Sequence, residues 1–186
     1  MSADHDHAHT SSTRTLLLAL IITTGFAAVE AITGWLANSL ALIGDAGHML
    51  TDSLSLAVGA LAAWAAKRPP TARLSYGWQR TEVLGALFNV IFMYAIVAVI
   101  IYAAIKRLID TPEVEGGTVL LVGTLGLLVN IGVAWLLSRG EQTLNTRGAM
   151  LHVMGDLLGS VAAVGSGIVV LATGWMPIDP ILSVVI

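Results

Sequence analysis

The chain of 186 residues contains no cysteine, which excludes a disulfide framework and a thiolate metal site; any metal it binds must be held by nitrogen and oxygen. Charge is also scarce, at 11% of residues against 56% hydrophobic, a balance that excludes a soluble domain of this size and points to a polytopic membrane protein. Nine Lys and Arg are scattered along a chain of net charge −3, so there is no electrostatic footprint for nucleic acid. HExxH, a Gly-x-Ser-x-Gly elbow and a phosphate-cradling glycine loop are all missing, which argues against an enzyme. The leading "MSADHDHAHTSSTRT" is too weakly basic for a secretory signal, so the first apolar run reads as a retained span.

What remains is a succession of long apolar runs. A membrane-crossing helix needs ~20 mostly apolar residues, and five stretches meet that, at about 16–36, 40–65, 83–105, 118–137 and 149–173. A sixth begins near Ile178 and stops at Ile186, too short to cross, so the sixth helix is expected to be truncated. The expected fold is an all-α membrane protein, a six-helix transmembrane bundle over 14–186 preceded by a His-containing cytoplasmic tail over 1–13. Pro69, Pro70, Pro112, Pro177 and Pro180 all fall in the polar joints between spans, where a missing backbone donor does least harm. Seven of the nine Lys and Arg lie on the side of the N-terminus, placing that end in the cytoplasm of a protein of the inner (plasma) membrane.

Within the spans ionisable residues are costly and therefore functional candidates. Two groups share one pattern: "HMLTD" supplies His48 and Asp52 in the second span, and "HVMGD" supplies His152 and Asp156 in the fifth. In His-x-x-x-Asp the imidazole and carboxylate lie ~6 Å apart along one helical face. Counting rise along the helices sets the two pairs at similar depths, so facing helices would offer two imidazoles and two carboxylates, a tetrahedral set suited to Zn²⁺. Mutual His–Asp hydrogen bonding without metal is the competing explanation.

Asp45 shares the stripe of His48 and Asp52 and reads equally as a supporting or pathway carboxylate or as the cap of the second helix. Glu30, Asn89 and Asn130 are polar groups in the first, third and fourth spans, suited to interhelical hydrogen bonds or to a wet pathway. Ser55 and Ser160 need no more than small-residue packing, and Gly155, Gly159, Gly165 and Gly167 permit close helix approach. His5, His7 and His9 could capture metal loosely or belong to an unstructured tail. Arg73, Tyr76, Trp78 and Arg80 form an aromatic and basic belt at the inner surface.

Together "EAITGWLANSLALIGDAGHMLTDSLSL", "SYGWQRTEVLGALFN", "HVMGDLLGSV" and "IDPILS" resemble the cation diffusion facilitator family of divalent-metal/proton antiporters, in its zinc-type bacterial form. The resemblance implies six transmembrane helices, transport ligands at His48, Asp52, His152 and Asp156 between the second and fifth, and a homodimer completed by a cytoplasmic C-terminal domain that this chain lacks. Histidine rather than aspartate at position 48 implies Zn²⁺ as the transported ion. The second joint has no histidine or acid between Lys67 and Arg80, so no second metal site is expected there. The reading is efflux of Zn²⁺ from the cytoplasm in exchange for protons. Histidines of ordinary pKa near ~6.5 are the expected coupling groups, since only deprotonated ligands hold metal. The alternative is a membrane zinc-binding protein that does not transport, a sensor or a metalloenzyme.

Overall fold

The computed structural model describes residues 4–66, 80–139 and 144–186, with side chains described over 16–54, 57–58, 83–139 and 146–186. They form six helices: α1 (Asp4–Leu36), α2 (Leu40–Ala66), α3 (Arg80–Ile109), α4 (Gly116–Arg139), α5 (Leu144–Thr173) and α6 (Ile178–Val185). No strand occurs among the described residues. The molecule is an all-α membrane protein. α1, α3, α4 and α5 each contain a segment long and apolar enough to cross a bilayer, and α2, at 27 residues, is ~40 Å long.

Helices run past the apolar stretches at several ends, because backbone hydrogen bonding continues where hydrocarbon stops. The largest extension is at α1, which starts at Asp4. The segment expected as a tail over 1–13 thus lies within α1 from residue 4. The side chains of His5, His7 and His9 lie outside the described residues, as do Ser55, the inner-surface belt and the loop expected to hold no metal.

α1, α2, α4 and α5 pack together, with α3 and α6 paired beside them against α2. Equivalent helices of the two three-helix halves touch throughout: α1 with α4, α2 with α5, α3 with α6. The closest packing is α4 on α5. Gly116, Val119, Val122, Gly123, Gly126, Asn130, Val133 and Leu137 are the buried residues of α4, and their spacing of threes and fours makes one stripe. Small residues on that stripe let backbones approach, the main source of helix attraction where lipid is as apolar as leucine. At Gly167 of α5 a Cβ would stand 2.6 Å from the backbone nitrogen of Leu120. Of the four glycines expected to permit close approach in α5, Gly159 and Gly167 face a near neighbour; Gly155 has nothing within 4 Å and Gly165 only Leu182 at 3.9 Å.

The turn between α1 and α2 is set by local chemistry. Asn38 adopts φ 53, and Ser39 N–H donates to Gly34 O at 2.9 Å while Asn38 N–H reaches Trp35 O at 3.4 Å. This is a Schellman end, with Asn as the left-handed residue that glycine more often supplies. Ser39 then caps α2, its Oγ accepting from Leu42 N–H at 3.2 Å. Asp45 therefore lies inside α2, not at its start, and is not the cap.

A second clamp comes from α6. Asp179, fully buried, accepts from Ser39 Oγ at 2.6 Å, Leu40 N–H at 2.5 Å and Ala41 N–H at 3.4 Å, and from Ser166 Oγ of α5 at 3.1 Å. A carboxylate on the first turn of a helix meets both its free N–H groups and its positive dipole end. Arg107 at the end of α3 stands 3.9 Å from the same carboxylate and donates to Asn38 O at 2.5 Å. One acidic side chain thus ties α2, α5 and α6 together, with α3 alongside.

Candidate metal site between α2 and α5

The crossing of α2 and α5 brings the two His-x-x-x-Asp pairs face to face. Asp52 Oδ2 lies 3.4 Å from His48 Nε2 on its own helix and 2.9 Å from His152 Nε2 across the interface. The two imidazole rings are 5.9 Å apart between centroids. One ligand atom each from His48, Asp52 and Asp156 falls within 4.8 Å of the others. His152 joins this group through its contact with Asp52.

The arrangement is poorly satisfied as a set of hydrogen bonds. Asp52 Oδ2 stands 2.9 Å from His152 Nε2, within hydrogen-bond reach, and 3.4 Å from His48 Nε2, while Asp156 Oδ1 is buried without a partner among the described residues. The unpartnered Asp156 oxygen, beside a carboxylate shared between two imidazoles, leaves lone pairs that a cation would meet. Two nitrogens and two carboxylates match a borderline ion such as Zn²⁺ better than a harder, oxygen-preferring one.

The site is graded in burial. Asp156 is 1% exposed, while the side chains of His48, Asp52 and His152 are 32%, 20% and 38% exposed, so an ion can reach them. His48 also lines a cavity of about 160 Å³ between α2, α3 and α6, walled by Gly44, Met93, Ile96, Val97 and Ser183 among others.

Around this site the polar residues divide. Asn130 of α4 donates to Ser160 of α5 at 3.0 Å, an interhelical bond of the kind expected. Ser160 also donates to Asp45 Oδ2 at 3.2 Å, so its role is hydrogen bonding and not the small-residue packing expected of it. Glu30 is fully buried and neither of its oxygens has a hydrogen-bond partner among the described residues, contrary to the bond expected of it. Asn89 is half-buried on α3, which packs chiefly on α2 and α6. Sequence reasoning overlooked Ser39 and Asp179. A serine three residues before the first turn's Leu42 was the available sign for the former; an acid beside Pro180 at a helix start was the sign for the latter.

Residues 16–186 match the family model described as the cation efflux transmembrane domain. The chain is 46% identical over 191 residues to the zinc transporter ZitB of Escherichia coli, covering 98% of this chain and 61% of that protein. It is 43% identical to the cadmium, cobalt and zinc/H(+)-K(+) antiporter of Bacillus velezensis, covering 100% of this chain and 60% of the relative. With the metal cation efflux system protein CzcD of Cupriavidus metallidurans the identity is 39%, again over 100% and 60%. The chain thus spans about three-fifths of the length of these relatives.

Proposed function

The chain belongs to the cation efflux family of metal transporters, and from that premise we propose that it moves Zn²⁺ out of the cytoplasm in exchange for protons, through His48, Asp52, His152 and Asp156. The observation that carries this reading is the convergence of His48, Asp52 and Asp156 ligand atoms within 4.8 Å, with His152 2.9 Å from Asp52. Relatives named for zinc, and for zinc with cadmium and cobalt, support the ion. Here zinc is cargo.

Exchange follows from the donors themselves. Imidazole and carboxylate hold metal only when deprotonated, so zinc and protons compete for the same lone pairs. A site loaded with zinc on one face and with protons on the other returns one for the other. Contact between each helix and its counterpart in the other half suits alternating access by rocking of one half against the other around a central site.

The Lys and Arg asymmetry favours an N-terminus in the cytoplasm, and efflux from the cytoplasm requires a place in the inner (plasma) membrane. The working unit is a homodimer, and the His5, His7 and His9 tract captures zinc on the cytoplasmic side. Vesicles containing the protein, given a proton gradient and an internal zinc dye, test the reading. Zinc uptake driven by the gradient is expected, with loss of at least ~100-fold in Asp156→Ala; uptake unchanged in that variant would refute the assignment.

A further inference from the structure

One turn before His48 on α2 stands Asp45, and one turn beyond Asp156 on α5 stands Ser160, ~4.5 and ~6 Å along their helices. Because α2 and α5 run antiparallel, both offsets lead toward the same end of the bundle, the end where α2 begins. Glu30 of α1 and Asn130 of α4 complete a layer there, and all four side chains are fully buried.

The hydrogen bonding of this layer is half complete. Ser160 Oγ donates to Asp45 Oδ2 and accepts from Asn130 Nδ2. Asp45 Oδ1, both Glu30 oxygens and Asn130 Oδ1 are left without a partner among the described residues. No Lys, Arg or His forms an ion pair with Glu30 or Asp45 among them either. Two glycines make the room: a Cβ at Gly126 would stand 2.6 Å from Glu30 Oε1 and 3.4 Å from Ser160 Oγ, and one at Gly159 would collide with the Asp45 carboxylate.

Four orphaned oxygens, two of them on one carboxylate, are a costly thing to bury in a membrane unless a cation or protons meet them. We propose that Glu30, Asp45 and Asn130 form a second, all-oxygen divalent-cation site, which the transported ion occupies on its way out after leaving His48, Asp52, His152 and Asp156. The inference rests on the transport reading above for the identity of the ion. Oxygen donors without imidazole hold zinc less tightly than a mixed set does. A weaker station on the exit side lets the ion leave, which a single tight site would hinder.

Cadmium-113 NMR of the purified full chain in micelles tests this directly. At saturating ¹¹³Cd²⁺, one resonance typical of mixed nitrogen and oxygen ligation and one of oxygen ligation alone are expected. Glu30→Gln should erase the oxygen-type signal and leave the other. Asp45→Asn serves as a second variant should the first not fold. Absence of an oxygen-type resonance in the unaltered chain, or its survival in a folded Glu30→Gln or Asp45→Asn variant, would overturn the proposal. Vesicles that fail to transport zinc while both resonances are present would refute the transport reading and leave the second site standing.

Discussion

Asp179→Ala should destabilise the bundle by more than any single charge on its surface, and the contacts show why. The carboxylate accepts Leu40 N–H at 2.5 Å, Ser39 Oγ at 2.6 Å, Ser166 Oγ at 3.1 Å and, more weakly, Ala41 N–H at 3.4 Å. The two hydroxyls can turn to other acceptors; the N–H groups of the first turn of α2 cannot. Leaving a buried donor unmet costs ~1–3 kcal/mol, and bonds to a charged acceptor are the stronger kind. Leu40 alone accounts for ~2 kcal/mol on that scale, and Ala41 with the hydroxyls brings the loss to ~3–4 kcal/mol. The ion pair to Arg107 is the longer contact. At 3.9 Å the arginine lies beyond hydrogen-bond reach of the buried carboxylate, whose direct donors are the N–H and hydroxyl groups named above. Unfolding in mixed micelles by added dodecyl sulfate, followed by far-ultraviolet circular dichroism, should therefore give a large shift for Asp179→Ala. Arg107→Met, which leaves every direct hydrogen bond to Asp179 in place, should give a smaller shift than Asp179→Ala. Equal losses in the two variants would refute the reasoning, for they would make the ion pair and not the helix cap the source of stability.

Two further outcomes follow. Gly167→Ala places a methyl against the Leu120 backbone, 2.6 Å from its nitrogen, and should cost ~1–3 kcal/mol; Gly117→Ala meets nothing within 4 Å and should stabilise α4 by up to ~1 kcal/mol, both read in the same micelle unfolding assay. His48→Asp replaces an imidazole with a harder donor and should lower zinc affinity relative to Mn²⁺ by at least ~10-fold in calorimetric titration, whereas an unchanged ratio would show that His48 is not a ligand.

Much of this architecture is legible in the chain because a membrane makes polar residues conspicuous. His48, Asp52, His152 and Asp156 stand out since each lies in a run that otherwise avoids charge, and their i, i+4 spacing places each pair on one face. The same logic marks Glu30, Asp45 and Asn130, but not what they do. Their common layer depends on which helices touch, and periodicity along one helix carries no information on its neighbours. Asp45 resembles a cap because caps are acidic and close to helix starts; the helix begins five residues earlier, where Ser39 holds Leu42 N–H. Asp179 and Ser39 are 140 residues apart in sequence, so the bond between them is invisible to any local pattern. Ser160 shows the same limit, a small residue whose two bonds run to α2 and α4.

In the proposed site one ion is held by side chains from both α2 and α5. X-ray absorption at the zinc edge of the purified, zinc-loaded chain tests it most directly. Two imidazole nitrogens and two carboxylate oxygens at ~2.0–2.2 Å are expected, falling to one imidazole in His48→Ala and likewise in His152→Ala. A first shell that keeps both imidazoles in either variant would place the zinc elsewhere and contradict the site.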